Sequence, residues 1–560
     1  MPSAPSTAAR PTAETLALAP AAGGRWRALL LSTFGLAAIG CVLLWAALPP
    51  LGLGLLAWFA PVPWVLLIRR RELGGRRPYA AIWLAGFMFW LAALHWLTLP
   101  HWATSFGWVA ISFYLAFYLP LFVGLSRVAV HTLGISPIIA APVVWTGLEL
   151  CRAYFLSGFA MASLAHTQAR FPIVLQISDL FGGYGVCFLI VLVAACVARM
   201  LPSDGKPRAW WPIVPACVAL AASLVYGQWR LTQQTTEPGP KVALIQGSID
   251  IEMKHDPTQA QRIFDEYFAL TQQAVKDHPD LDLIVWPETM FRYPWFTFDE
   301  KFRPPADARW TTAEAEASSR RAVENTVGPF RTPFLLGIET VHETPDGMER
   351  YNSALFTDGQ GHTLDRYDKC LRVAFGEYVP LAETFPWLYN LTPLPSGLNA
   401  GAGPKSFDVG HGRRASANIC YENTIPHLVR SQVVQLRNEQ REPDILVNLT
   451  NDGWFWGSSE LDMHLACAVF RAIECRKPFL VAANTGFSAW IDSNGRIVHQ
   501  GRRRATDVIV AATEIDSRHS IYLRFGDLAA GLCLFACGLL ALVGIRQRRS
   551  NRKKRLTPTA

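Results

Sequence analysis

Apolar positions crowd both ends of this 560-residue chain and thin out in the middle. From 29 to 230 the sequence is rich in Leu, Ala, Trp and Phe, and the same texture returns at 521–545. A membrane-crossing helix needs about 20 such residues in a row. Eight segments meet or approach that length: 29–48, 51–68, 80–99, 106–127, 137–156, 174–199, 209–229 and 521–545. The second is short and broken by Pro61 and Pro63. The first is too long for the apolar region of a cleaved leader and more spans follow it, so it is expected to remain.

Between these blocks, 241–520 has the rhythm of a globular domain. KVALIQG (241–247), DLIVWPE (282–288), PFLLGIE (333–339), YNSALFTD (351–358) and HTLDRYDK (362–369) read as strands. So do RRASANICYE (413–422), DILVNLTND (444–452), PFLVAANTG (478–486) and FSAWIDSNGRIV (487–498), the last turning at the Asp-Ser-Asn-Gly of 492–495. Residues 257–278 and 460–475 carry helical periodicity. Strands alternating with helices predict an α/β layered fold around a central sheet. Two stretches break the rhythm. Residues 290–330 pair aromatics with a charged, helical segment, and 381–410 is rich in Pro, Gly and Leu. Long loops beside strand ends are suited to act as lids or binding arms.

Composition sharpens the picture. The chain is 51% hydrophobic and only 17% charged, with a positive mean hydropathy of +0.18. Its net charge of +8 does not point to nucleic acid, because the basic residues sit beside apolar runs and no recognition helix or aromatic-basic platform accompanies them. They flank spans instead: Arg25 and Arg27, the RRRELGGRR of 69–77, Lys206 and Arg208, and the tail from 546 to 555. If eight spans alternate, all four clusters share one side, the cytoplasmic one, and 241–520 lies on the other. Trp90, Trp96, Trp102 and Trp108 are expected to form an interfacial belt. The 11 cysteines include no Cys-x-x-Cys pair, so neither a zinc site nor a disulfide scaffold is expected.

Three residues with catalytic potential close expected strands: Glu288, Lys369 and Cys420. Open α/β sheets collect function at strand ends. A thiol becomes a nucleophile once a carboxylate takes its proton, and a buried ammonium can hold a developing oxyanion. Singly, each has an ordinary reading as a core thiol, a turn charge or a helix cap.

Together with their surroundings they resemble the apolipoprotein N-acyltransferase family, bacterial membrane enzymes with a nitrilase-type (carbon-nitrogen hydrolase) domain. The matching strings are LIVWPET (283–289), YDKCLRVAFGEYVP (367–380), NICYEN (418–423), NDGWFWG (451–457) and FRAIECRKPFLVAANTGFSAWID (470–492), with WTGLELCRAYFLSGFAMASLAHTQ (145–168) in the apolar block. Any one string is weak evidence; their order is specific. The resemblance implies a polytopic helical membrane domain of about eight spans and a nitrilase-like αββα sandwich inserted before the last span. The implied boundaries are a cytoplasmic tail (1–28), a membrane domain (29–230), an extracytoplasmic catalytic domain (241–518), a final span (521–545) and a basic cytoplasmic tail (546–560).

It further implies that Glu288 is general base and acid, Lys369 the oxyanion cation and Cys420 the acylated nucleophile. Glu377 would orient the triad, Tyr421 would lend its backbone N–H to the oxyanion, and Glu422, Asn451 and Trp454 would support or shape the pocket. The implied reaction moves an acyl chain from a glycerophospholipid, through a Cys420 thioester, to the N-terminal amine of a diacylglyceryl-cysteine lipoprotein. The implied setting is the bacterial inner membrane, with the protein a monomer in the lipid bilayer, without nucleic acid, metal or other cofactor. A membrane-anchored amidase or nitrilase acting on a small amide would use the same triad, and a non-enzymatic receptor-like protein would be expected to have lost part of it. The sequence departs from the family pattern at 370–374, where Cys-Leu-Arg-Val-Ala stands in place of a His-containing stretch ending in Pro.

Overall fold

The computed structural model describes residues 29–202, 207–382, 384–391 and 397–556. The 1–28 tail with Arg25 and Arg27, Lys206, part of the Pro-rich arm (392–396) and residues 557–560 lie outside the described residues.

All eight apolar segments contain helix, but unequally. Among the described residues, four helices are long and apolar enough to cross a membrane: Thr104–Thr132, Pro137–Ser157, Gly183–Met200 and Leu528–Arg552. Thr33–Ala47, Gly54–Arg69, Pro78–Ala93 and Pro172–Phe181 are shorter. Their limits follow from the sequence. Ser32 caps the first by accepting from the Gly35 N–H, Pro49 and Pro50 follow its end, and Pro61 and Pro78 begin later helices where a missing N–H costs nothing.

Leu528, Leu532, Phe535, Leu539, Leu542 and Ile545 recur every three or four residues and are exposed, an apolar stripe suited to lipid contact. The other face of that helix packs on Pro137–Tyr154. A Cβ at Gly147 would lie 2.7 Å from the Cys533 carbonyl, so the two backbones meet where only glycine fits.

One end of the bundle is tied by polar contacts. Thr33 donates to the Gly74 carbonyl at 2.8 Å, Arg127 to the Leu67 and Arg71 carbonyls at 3.0 and 2.9 Å, and Arg69 to the Leu201 carbonyl at 2.9 Å. Thr132 donates to Gln547 at 2.8 Å. The opposite end meets the globular domain. There Asp179 pairs with Arg230 at 2.6 Å and Arg476 at 2.5 Å, and the Tyr421 hydroxyl donates to the Gly158 carbonyl at 3.0 Å.

Two of the four tryptophans expected in an interfacial belt are buried instead. Trp96 is only 6% exposed and meets Phe455 edge-on, with centroids 5.0 Å apart. Trp90 is buried under Arg152, whose guanidinium carbon lies 5.5 Å from its ring centre. Trp102 is 72% exposed and Trp108 is half-buried, so these two stay open to an interface. Trp96 is held by Phe455 of the globular domain, whereas Trp90 packs on Phe159 within the membrane part.

That domain is built from two sheets. In chain order the strands are β1 (Thr236–Gln246), β2 (Leu283–Trp286), β3 (Trp295–Phe298), β4 (Phe334–Thr344), β5 (Gly347–Thr357), β6 (Thr363–Asp368) and β7 (Phe407–Asp408). They continue as β8 (Arg414–Ile419), β9 (Ile445–Thr450), β10 (Phe479–Ala483), β11 (Ala489–Ile491), β12 (Ile497–Gln500) and β13 (Asp507–Asp516). One sheet runs β13-β1-β2-β4-β5-β6 with β3 on β4, the other β12-β11-β10-β9-β8-β7. Side chains from the two sheets meet in one core, with Leu244, Val285 and Phe356 against Ala417, Ile419 and Val447. Helices Ala260–Asp277 and Thr312–Val327 cover the outer face of the first sheet. Helices Pro426–Asn438 and Glu460–Cys475 cover the second, and their cluster is continuous with that of the membrane helices. The result is an αββα sandwich whose fourth layer is shared with the bundle.

Several details differ from expectation. β3 lies inside the 290–330 arm, β7 and β13 extend the sheets, and Pro426–Asn438 is a further helix. Cys420 is not the end of a strand but opens a 3-10 turn, Cys420–Thr424.

Candidate active site

The catalytic candidates converge where strands of the two sheets end. Glu288 follows β2 after one proline, Lys369 follows β6, and Cys420 follows β8. The approach of neighbouring backbones fixes Glu288: a Cβ at Gly337 on β4 would lie 2.0 Å from the Pro287 carbonyl oxygen. Cys420 adopts a left-handed backbone, φ +54°. A non-glycine residue holds that conformation only where the surroundings enforce it.

Glu288 is 8% exposed and Lys369 2%. Glu288 Oε1 accepts from Asn352 Nδ2 at 2.6 Å, and Oε2 accepts from the Asn451 backbone N–H at 2.9 Å. Lys369 Nζ donates to Glu377 Oε1 at 2.7 Å and lies 3.8 Å from Glu288 Oε1. The second oxygen of Glu377 accepts from the Val373 N–H at 2.8 Å. One ammonium thus bridges the buried Glu288 and the partly buried Glu377.

The charges act on one another in opposite senses. Burial alone would lower Lys369, but Glu377, Cys420 and Glu288 outweigh it and hold the ammonium above its ordinary value. Burial, then the charge of Glu288, pushes the Cys420 thiol well up, against the opposing pull of Lys369. The resting thiol therefore keeps its proton at neutral pH, and a base must remove it for attack.

Of the other sequence candidates, Glu422 is wholly buried and works as a staple. Its carboxylate accepts from the N–H groups of Cys370 at 2.7 Å, Leu371 at 2.9 Å and Ile419 at 2.7 Å, and from the Tyr367 hydroxyl at 2.8 Å. Burial raises Glu422 against these donors. The atypical 370–374 segment is therefore held through its backbone, which explains why its side chains can change. Arg372 adds a contact to the Leu398 carbonyl at 2.9 Å and lies over Tyr378, 4.5 Å from the ring centre.

Asn451 serves Glu288 through its backbone, while its side-chain oxygen accepts from Asn484 at 2.9 Å and the Gly453 N–H at 3.3 Å. Tyr421 follows Cys420 directly. Trp454 lies in the turn Asp452–Phe455 and is exposed.

Sequence reading overlooked Asn352, whose side chain holds Glu288 and whose carbonyl accepts from the Lys369 N–H at 2.8 Å. The available signal was weak: Asn352 lies in the strand YNSALFT beside two other polar residues, Ser353 and Thr357. Asn448 and His464, which contact the Cys420 carbonyl at 3.1 and 3.2 Å, were overlooked too.

Comparison with known proteins matches this architecture. The apolipoprotein N-acyltransferase N-terminal domain matches residues 40–196, and the carbon-nitrogen hydrolase domain matches 241–521. The apolipoprotein N-acyltransferase of Rhodopirellula baltica is 32% identical, covering 92% of this chain and 97% of that protein. This chain belongs to the apolipoprotein N-acyltransferase family. The member from Geobacter metallireducens is 31% identical over 92% of this chain and 95% of its own. A Saccharomyces cerevisiae protein of the nitrilase superfamily aligns over 52% of this chain and 95% of its own, with 18% identity and a TM-score of 0.35. The family assignment does not lean on that structural likeness.

Proposed function

We propose that Glu288, Lys369 and Cys420 carry a two-step acyl transfer at the outer face of the inner membrane. As a member of its family the chain is an acyltransferase of lipoprotein maturation, N-acylating apolipoproteins. Its near full-length match to a curated relative carries that conclusion.

In the first step Glu288 takes the Cys420 proton, and Sγ attacks an ester carbonyl of a glycerophospholipid. Lys369, with the Tyr421 N–H, balances the oxyanion. The C–O bond breaks, the lysophospholipid oxygen takes the proton from Glu288, and a thioester remains on Cys420. In the second step the α-amino group of a diacylglyceryl-cysteine lipoprotein attacks the thioester. Such an amine titrates near pH 8, so a neutral fraction is always present at physiological pH. Glu288 takes the amine proton as the amide forms, and returns it to the departing thiolate. Glu377 holds Lys369, Glu422 braces the turn and the 370–371 backbone, and Asn451 holds Glu288.

Eight membrane passages are supported by the contacts at the two ends of the bundle. Residues 67–74, 127–132, 198–201 and 547 meet at one end, whereas Trp96, Gly158, Asp179 and Arg230 reach the globular domain at the other. The arginine-rich end is then cytoplasmic and the sandwich extracytoplasmic, with the protein acting as a monomer. A small soluble amide would need no apolar bundle sharing a core with the catalytic layer, which disfavours the amidase reading.

The test is mass spectrometry of the intact enzyme after incubation with phospholipid of defined chain length. An acyl adduct mapping to Cys420, absent in Cys420→Ala together with lipoprotein N-acylation, is expected. N-acylated product from the Cys420→Ala enzyme would refute the assignment.

A further inference from the structure

Behind the nucleophile lies a second cluster of ionisable side chains that acyl transfer leaves unused. Asp452 follows β9, and Glu460 and His464 sit one turn apart on the Glu460–Cys475 helix. All three are buried, and one ligand atom from each lies within 4.8 Å of the others. The donor types would suit a metal, but both ring nitrogens of His464 are already engaged. Nδ1 lies 3.1 Å from Asp452 Oδ1, and Nε2 lies 3.2 Å from the Cys420 carbonyl oxygen. A carbonyl and an ionised carboxylate can only accept, so one ring satisfies both as the imidazolium, with two N–H groups. The surroundings favour that form: burial would lower His464, but Asp452 and then Glu460 outweigh it and lift the ring to about 9.

The Cys420 carbonyl has another donor, Asn448 Nδ2 at 3.1 Å, whose amide also donates to Asn418 Oδ1 at 2.7 Å. The geometry of the peptide unit gives these contacts their consequence. A trans peptide is planar, with its N–H pointing opposite to its C=O. Among the described residues the cis peptide bond is Pro49–Pro50, so the Cys420–Tyr421 unit is trans. Drawing the Cys420 carbonyl towards His464 and Asn448 turns the Tyr421 N–H to the opposite side.

We infer that His464 is a positioning residue for the oxyanion hole: with Asn448 it grips the Cys420 carbonyl, holds the left-handed turn and aims the Tyr421 N–H at the reacting oxygen. The inference rests on the reading of Cys420 as the acylated nucleophile. His464 meets Cys420 at its backbone carbonyl. It acts through one peptide plane, and its charge lies on the same side chain cluster that anchors the second sheet's helix to the nucleophile turn.

Two amides separate the roles of the two ring nitrogens. His464→Gln can place an N–H where Nε2 stood, towards the Cys420 carbonyl. His464→Asn can place one where Nδ1 stood, towards Asp452, leaving the carbonyl to Asn448 alone. Both are compared with the wild type as full-length enzyme in lipid nanodiscs, following acyl-adduct formation on Cys420. With His464→Asn the rate at saturating phospholipid should fall about 100-fold, the scale of losing one oxyanion donor. The half-saturating phospholipid concentration should not move. His464→Gln should recover about tenfold of that loss. A merely structural histidine would give equal losses, and equal losses, a reversed order or a wild-type rate in His464→Asn would each overturn the inference. No adduct in the wild type would instead overturn the thioester reading, so the two failures are distinct. Should either variant fail to fold, nitrogen-15 spectra of the histidine-labelled wild type decide. At pH 8, where exposed imidazoles are neutral, one ring should keep both protons; a spectrum with none would overturn the inference.

Discussion

Lys369 holds two carboxylates apart, and that arrangement allows its structural and chemical roles to be separated. Its Nζ lies 2.7 Å from Glu377 Oε1 and 3.8 Å from Glu288 Oε1, with all three side chains largely withdrawn from water. At an effective dielectric of about 20, opposite unit charges near 4 Å attract by about 4 kcal/mol. Desolvation offsets much of that gain, but removing one partner leaves the others buried and uncompensated, which costs about 3–5 kcal/mol. Lys369→Met should therefore lower the melting temperature of the catalytic domain by roughly 5–15 °C. Its acyl-enzyme formation should fall by at least about 100-fold, because the oxyanion loses its cation. Adding Glu377→Gln removes one of the two stranded charges and should restore much of the lost stability without restoring turnover. Differential scanning fluorimetry in detergent reads the first effect, and release of labelled lysophospholipid reads the second. If the double variant regained transfer, Lys369 would be only a counter-ion and the oxyanion role would be wrong. A Lys369→Met enzyme as stable as the wild type would refute the electrostatic reasoning.

Two further outcomes follow from packing. Gly337→Ala should drive a methyl group into the Pro287 carbonyl, 2.0 Å away, and displace Glu288; a shift of about 1 Å at the base should cost about 100-fold in kcat, measured as acyl transfer at saturating donor. Asp179→Ala should strand Arg230 and Arg476, its partners at 2.6 and 2.5 Å, and cost about 3–5 kcal/mol. Limited proteolysis between bundle and domain should then accelerate, and unchanged cleavage would deny the cluster its role as a fastening.

How much of this was legible in the chain depended on the range of each interaction. Glu288, Lys369 and Cys420 could be found because each ends a local pattern that a linear reading can follow, and because the strings around them come in a specific order. The brace formed by Glu422 could be named but not explained, since its partners at 370, 371 and 419 are backbone groups without a sequence signature. Asn352, Asn448 and His464 stayed hidden for a different reason: a polar residue inside a buried element is usually a satisfied core residue, and only the meeting of distant elements gives it a task. Among the membrane helices, apolar length located every helical segment. Prolines and short turns then split several, so hydropathy alone overstated their lengths. β13 was missed although its burial alternates, because its partner β1 lies at the far end of the domain sequence.

The contact of Gly147 with Cys533 also constrains assembly of the protein at the membrane. The helix Pro137–Tyr154 precedes the sandwich in the chain, whereas its neighbour Leu528–Leu556 follows it and is made only afterwards. Until the whole sandwich has been synthesised, the small-residue face around Gly147 has no mate and must wait against lipid or another chain. The closing helix thus acts as a latch that completes the bundle after the enzyme domain exists, and a ribosome stalled before residue 528 would leave an open, unlatched membrane half.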